Sequence, residues 1–282
     1  DIYYWGQTTM TTRSHCIVSG AGSGLGLGLA IRLLRRGHRL SLIDLGFDDN
    51  ARQQLADAAS AEDQWQTYPL DIRDTQALKQ AVTNGVSAFG PVALAINCAG
   101  IILNRRFVDM APEDFARVVD INLNGSMYFA KAVLPHMQAG SRLGLIASMA
   151  GLVSNYAYAA YGASKFGVVG LATTLRYEYE PLGIGISCIC PPEVRTPMVV
   201  AERQDGDPVS LQLKDIAGSM EAPQAIDSII RGLDAGRWMI IPGIRSRLTA
   251  GFARHCPALF HFFMQRIIRH LLLRTPTQET RP

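Results

Sequence analysis

The sequence predicts a doubly wound α/β fold: one parallel sheet covered on both faces by helices, three layers (α/β/α) in a single domain, with a C-terminal helical extension. Three observations carry this. Strand-like apolar runs alternate with segments of helical spacing from residue 15 to residue 241, and such alternation builds parallel sheets through right-handed crossovers. The 282 residues are 48% hydrophobic and 18% charged, which suits one large core and excludes a disordered chain. A glycine-rich turn joins the first strand directly to the first helix.

Taken in order, residues 15–19 form a short apolar strand, and 24–36 a helix that Gly37 stops. A second strand covers 40–45, a polar amphipathic helix 48–60 and a third strand 65–70. Helix 75–88 leads into strand 92–97. One long helix is expected over 112–138, with Pro112 suited to its first turn and Pro135 expected to end or kink it. Strand 143–147, helix 156–179, strand 185–190 and a last strand at 238–241 complete the series. The main domain is therefore placed at 13–243, with no internal repeat or low-complexity tract.

Residues 1–12, aromatic and then threonine-rich, are read as an N-terminal extension outside the fold. Met10 is a candidate native start, so 1–9 are candidates for a non-native leader, and no secretory signal is read there. The five cysteines (16, 98, 188, 190 and 256) include no CxxC pair. They read as thiols of a reducing compartment, which points to the cytoplasm. Cys188 and Cys190 alternate on one strand face, a packing arrangement and not a metal site; no metal is expected.

Net charge is only +3, but residues 243–282 hold seven arginines against one acid, Glu279. Within them, 259–273 mix large apolar residues with Arg266, Arg269 and His270. That run is too short and too charged to span a bilayer. It reads as a basic amphipathic helix, and 244–274 as a segment for peripheral contact with a membrane surface. Packing of the apolar face on the domain or on a neighbouring subunit is the alternative. Nucleic acid is not an expected partner, because the arginines alternate with aliphatics instead of lining a polar face.

Three features carry chemistry. The turn Ser19-Gly20-Ala21-Gly22-Ser23-Gly24-Leu25-Gly26 follows a strand and opens a helix. Glycines there let the backbone approach a pyrophosphate, and the helix N-terminus faces its charge. Asp44 ends the second strand, where a carboxylate accepts hydrogen bonds from the adenosine ribose hydroxyls and repels a 2′-phosphate. No basic residue stands at Ser23 or Leu45 to offset it. NAD(H) is therefore the expected cofactor and NADP(H) the alternative. Tyr161 and Lys165 lie four apart on an expected helix, on one face. An ammonium beside a phenol is expected to lower the phenol's pKa and make it a usable acid or base.

Together these motifs resemble the short-chain dehydrogenase/reductase family over residues 16–198, with Ser19 replacing the threonine of the family's TGxxxGxG loop. The resemblance implies a Rossmann fold. It implies cofactor contacts at Gly20, Gly22, Ser23, Gly24, Leu25, Gly26, Asp44, Tyr161 and Lys165, and at Asp71 and Ile72 beside the adenine. Asn97, Ala99 and Gly100 match the NNAG element, with Cys98 in place of its second asparagine. Asn122, Ser148, Tyr161 and Lys165 match the catalytic tetrad. It further implies that Tyr161 is the general acid/base, that Ser148 holds the substrate oxygen, that Lys165 grips the nicotinamide ribose, and that Asn122 holds a relay water. Pairing into a homodimer or homotetramer through 112–138 and 156–179 is also implied.

One departure follows the sixth strand. Pro191-Pro192-Glu193-Val194-Arg195-Thr196-Pro197 has Pro192 where the family has glycine. Pro191, Val194 and Thr196 keep positions that contact the nicotinamide. This loop, the lid at about 199–221 and the basic tail are similar to the 3-ketodihydrosphingosine reductase branch, which uses NADPH. The expected function is interconversion of a secondary alcohol and a ketone on an apolar or lipid-like small molecule. A 3-ketodihydrosphingosine-type or 3-ketoacyl-type reductase using NADPH is the alternative within the family. A non-catalytic, cofactor-binding regulator is the alternative of another class.

Overall fold

A computed structural model describes residues 13–274. Seven parallel strands form the central sheet: β1 (His15–Ser19), β2 (Arg39–Asp44), β3 (Trp65–Pro69), β4 (Val92–Asn97), β5 (Met137–Ile146), β6 (Gly185–Ile189) and β9 (Met239–Ile240). Their spatial order is β3-β2-β1-β4-β5-β6-β9, so the winding reverses between β1 and β4. Such a switch point opens a crevice outside the carboxyl ends of the strands. A small parallel pair, β7 (Val194–Arg195) and β8 (Met220–Glu221), stands apart from the sheet.

Alternation along each strand feeds two cores. Cys16, Val18, Leu40, Leu42, Leu94 and Ile96 point to one face. There they meet α1 (Gly24–Arg35), α2 (Asp49–Ala58) and α9 (Ala222–Asp234) through Leu29, Leu33, Leu55, Ile229 and Leu233. Ile17, Ile43, Ala95, Leu143 and Leu145 point to the other face. They pack on α3 (Thr75–Phe89), α5 (Gly125–Val133) and α6 (Ala159–Tyr179) through Leu78, Val82, Phe129, Val133 and Val168. Cys188 and Cys190 share this second core, with sulfurs 3.9 Å apart. All five cysteines are free thiols. Local signals start the helices: Asp48 accepts from the N–H of Ala51, and Asp74 from those of Gln76 and Ala77.

The expected helix over 112–138 is divided. α4 (Pro112–Val119) runs into one wide π-turn, Asp120–Asn124, before α5, and a tight 3-10 turn, Leu134–His136, ends it. Pro135 lacks the N–H that would continue the helix. β5 begins at once, six residues earlier than expected. A π-turn inserts one residue, a device common at functional sites, and Asn122 sits at its centre.

The lid region forms α7 (Pro197–Asp205) and α8 (Pro208–Ala217). The tail forms two helices: α11 (Pro257–Arg274) covers the expected helix at 259–273, and α10 (Ile244–His255) precedes it. α11 packs on α8: Val209, Leu213 and Leu271 form a small core with Tyr156, Met264 and Ile267. No helix among the described residues is long and apolar enough to cross a membrane. The N-terminal extension lies outside the described residues.

Candidate active site

A cavity of about 690 Å³ opens at the switch point. Its floor at one end is the glycine loop. Gly20 has φ +64, and a Cβ there would lie 2.6 Å from the backbone nitrogen of Ala99. At Gly22 it would lie 2.4 Å from the carbonyl of Gly46, and at Gly26 only 1.9 Å from that of Gly20. The Gly26 constraint thus comes from the loop folding back on the first turn of α1, not from contact between helix and sheet. Backbone free of side chains, aimed along the N-terminus of α1, fits a pyrophosphate. Asp44 closes this end, its Oδ2 accepting the N–H of Gly22 at 2.7 Å.

Ser23, Gly24, Leu25, Ile72, Ala99, Gly100, Pro191, Val194 and Thr196 all line the cavity. A Cβ on Gly24 would reach the Cβ of Thr196 at 3.5 Å, so the glycine loop and the β7 segment face each other across it. Asp71 also lines the cavity, but its carboxylate is taken by Arg73 in a two-pronged pair at 2.5 and 3.0 Å. That pair holds the Asp71 carboxyl below its usual range.

Gly22, Asn97 and Asn122 stand behind the wall. Asn97 is buried; it accepts from the Ser19 hydroxyl and donates to Ser126 Oγ at 2.8 Å. Ser126 donates in turn to the carbonyl of Asn122 at 2.6 Å. The Asn122 side chain accepts the N–H of Ile101 at 2.8 Å and donates to the Ile101 carbonyl at 2.9 Å and to Ser164 Oγ at 3.0 Å. It therefore clamps the loop after Gly100.

Ser148, Tyr161 and Lys165 come together on the cavity wall. Ser148 follows β5; its hydroxyl accepts the N–H of Ala150 at 3.1 Å, and its side chain lies near enough to the Tyr161 phenol to oppose a rise in its pKa. Tyr161 and Lys165 share the first turns of α6, with the ammonium 5.7 Å from the phenol ring centre. Lys165 Nζ donates to the Ile146 carbonyl at 2.9 Å. The expectation that the lysine lowers the phenol's pKa is not met. Burial pushes Tyr161 up to about 12, against the opposing effect of Ser148, and Glu202 and Cys190 add to the rise. Burial also pulls Lys165 down to about 8. Desolvation disfavours the charged form of each and is the largest cause of both shifts.

Beyond these residues the cavity is walled by Met149, Val153, Met198, Val199, Leu213 and Ile216. Phe260, Met264 and Ile267 of α11 complete it, so the tail is part of the pocket. The sequence reading assigned α11 no place there; the buried stripe 260, 264, 267, 271 at helical spacing was the available signal. Also missed was a cluster of charges on the pocket wall. Glu193 and Lys214 pair at 2.6 Å, and Lys214 pairs again with Glu202. Tyr158 donates to Glu202 at 2.5 Å. Charged residues within the apolar spacing of α7 and α8 were the only hint.

Known proteins share this architecture. The profile described as short chain dehydrogenase matches residues 14–207. A 3-dehydrosphinganine reductase of Arabidopsis thaliana is 33% identical over 233 residues, covering 80% of this chain and 70% of that protein. Among solved structures, a short-chain dehydrogenase/reductase of Burkholderia phymatum in complex with NAD aligns with a TM-score of 0.76 at 23% identity. The alignment covers 88% of this chain and 95% of that one. A short chain dehydrogenase of Burkholderia cenocepacia in complex with NADP aligns with a TM-score of 0.74 at 19% identity, covering 90% and 98%. At these identities the two structures speak to the fold alone.

Proposed function

Because this chain belongs to the short-chain dehydrogenase family, we propose that it interconverts a secondary alcohol and a ketone on an apolar small molecule, with a nicotinamide dinucleotide as partner. The observation that carries this reading is the convergence of Ser148, Tyr161 and Lys165 on one cavity whose far end is the glycine loop. The dinucleotide, when bound, supplies the hydride. Tyr161 gives the proton to the carbonyl oxygen, or takes it from the alcohol. Ser148, on the same cavity wall as that phenol, holds the same oxygen. Lys165 reaches the ribose side of the cavity, and Asn122 fixes the backbone at Ile101 beside it. Since burial raises Tyr161, the neutral phenol dominates near neutral pH, which suits donation and hence reduction. Asp44 on the cavity wall supports NAD(H) over NADP(H).

A panel of ketones and alcohols assayed with NAD(H) and NADP(H) side by side tests this. Turnover of at least one long-chain ketone is expected. Cofactor binding without turnover across the panel would favour a non-catalytic regulator. Within the family, reduction of a 3-ketodihydrosphingosine-type substrate is favoured by the apolar depth that α11 adds and by the relative named above. A clear NADPH preference in the assay would support that branch over the NAD reading.

The outward face of the tail exposes Ile244, Leu248, Leu259, Phe262, Phe263 and Leu273. Arg247, Arg254, Arg266, Arg269 and Arg274 are exposed among them. This supports peripheral contact with an anionic membrane surface, a route for an apolar substrate. Flotation with phosphatidylserine vesicles is expected to carry the protein, and Phe262→Asp/Phe263→Asp to release it. Self-association through α4–α5 and α6 is part of the same reading, with Met127 and Phe166 exposed there. Sedimentation is expected to show a dimer or tetramer.

A further inference from the structure

Tyr158, Glu193, Glu202 and Lys214 lie outside the tetrad, yet all are buried beside it. Glu202 is the hub. Its carboxylate is 1% exposed and gathers three segments onto α7. Oε1 accepts from Tyr158, at the start of α6, at 2.5 Å. It also accepts from Asn104, on the loop after β4, at 3.0 Å. Oε2 takes the ammonium of Lys214 on α8. Lys214 continues to Glu193 after β6 at 2.6 Å, Glu193 to Arg203 at 2.6 Å, and Arg203 to the exposed Asp215 at 2.9 Å.

The cluster meets the reactive group through Tyr158. Its ring stands edge-on to that of Tyr161, with centroids 5.2 Å apart, and its carbonyl accepts the N–H of Gly162 at 2.6 Å. The preceding residue, Ala157, has φ +62, a left-handed conformation that a residue with a Cβ holds only when its surroundings fix it. The Arg105 N–H bonds its carbonyl at 2.9 Å. A purely mechanical tie between helices would be made more cheaply by apolar packing than by burying two carboxylates and an ammonium. Ion clusters of this kind favour one arrangement, since the buried charges are paired only there.

We propose that Glu202 is a positioning residue: through Tyr158 it fixes the place of the Tyr161 ring, and through Lys214 and Glu193 it makes that placement depend on α7 and α8 being seated over the cavity. The inference rests on the assignment of Tyr161 as the proton-transferring group. The charged and titratable groups facing this region are Tyr158, Tyr161 and Lys165 from α6, Cys190 and Glu193 from β6 and the loop after it, Arg203 from α7 and Lys214 from α8.

The test compares wild type, Tyr158→Phe, Glu202→Gln and Glu202→Gln/Lys214→Met, the last leaving no unpaired buried ammonium. Each is saturated with dinucleotide and followed in two ways. One is the pH profile of kcat and KM for the best alcohol of the panel. The other is nuclear magnetic resonance of isotope-labelled tyrosine, with the Tyr161 signal assigned by Tyr161→Phe. Tyr158→Phe is expected to lower kcat at least tenfold with KM for the alcohol within about twofold, and to leave the pH midpoint in place. Glu202→Gln is expected to lower kcat similarly and to move the midpoint of oxidation to lower pH, because a carboxylate that opposes phenolate is gone. The double variant keeps the kcat loss and returns the midpoint toward wild type. A Tyr161 signal that moves in all three variants supports the inference even if no alcohol on the panel is turned over, which separates its failure from that of the proposed reaction. Wild-type kcat, midpoint and Tyr161 signal in folded Glu202→Gln would overturn it. Should Glu202→Gln not fold, wild-type behaviour of Tyr158→Phe and of the double variant overturns it equally.

Discussion

Asp44 holds the glycine loop by its own carboxylate: Oδ2 accepts the N–H of Gly22 at 2.7 Å, from the end of the neighbouring strand. One acid therefore does two things. Its bond shapes the backbone on which a pyrophosphate would lie, and in the function proposed above its charge would select against a 2′-phosphate.

Asp44→Asn keeps the hydrogen bond and removes the charge. The ratio of kcat/KM for NAD(H) to that for NADP(H) should fall about tenfold or more, equivalent to about 1.4 kcal/mol. Asp44→Ala removes the bond as well and should weaken both cofactors. Initial rates at matched cofactor concentrations check this; an unchanged ratio in Asp44→Asn would remove Asp44 from the selectivity.

Tyr161→Phe keeps the ring packed against Tyr158 and deletes the proton. We expect kcat to fall roughly a hundred to ten thousandfold, while the fluorescence titration of the reduced dinucleotide stays within about twofold of wild type. Substantial turnover in this variant would place the proton donor elsewhere.

Lys165 couples stability to pH. Burial lowers it from 10.5 to about 8, so between those values the unfolded chain binds the extra proton. Stability therefore rises with pH across this window and the penalty is constant below it. Lys165→Met abolishes the dependence. The variant should gain on wild type by up to about 3 kcal/mol at pH 7, and the gap should shrink by pH 10. Urea midpoints at the two pH values measure it. Tyr161, raised to about 12, acts only above pH 10, where the unfolded chain ionises first and stability falls.

Phe260 carries the contribution of the tail. It is buried and lines the cavity from α11. Phe260→Ala should raise KM for long-chain ketones several-fold and leave short ketones within about twofold. Truncation of a buried aromatic costs about 3–5 kcal/mol at most sites, so the comparison is made on variants shown to be folded by circular dichroism.

What the sequence made legible, and what it hid, divides along physical lines. The glycine loop, Asp44 and the order Asn122, Ser148, Tyr161, Lys165 are local patterns whose spacing alone places them at strand ends and helix starts. The sheet followed from alternation of periods. Features set by distant partners were hidden. The π-turn at Asp120–Asn124 leaves the apolar spacing of 112–138 almost undisturbed, so one helix was read where two meet. The rise of Tyr161 comes from its burial in the folded chain, which four-residue spacing does not report. Glu193, Glu202 and Lys214 each look like a solvated charge in the sequence; only folding brings them together.

The polar chain from Ser19 through Asn97 and Ser126 to Asn122 is buried along its whole length. Yet it joins the glycine loop, the end of β4 and the π-turn, and through Asn122 the backbone of Ile101. This continuity predicts that the two halves of the crevice open together. Amide protons around Gly20 and around Ile101 should exchange with solvent at a common rate, and Ser126→Ala, which touches neither ligand region, should hasten both together.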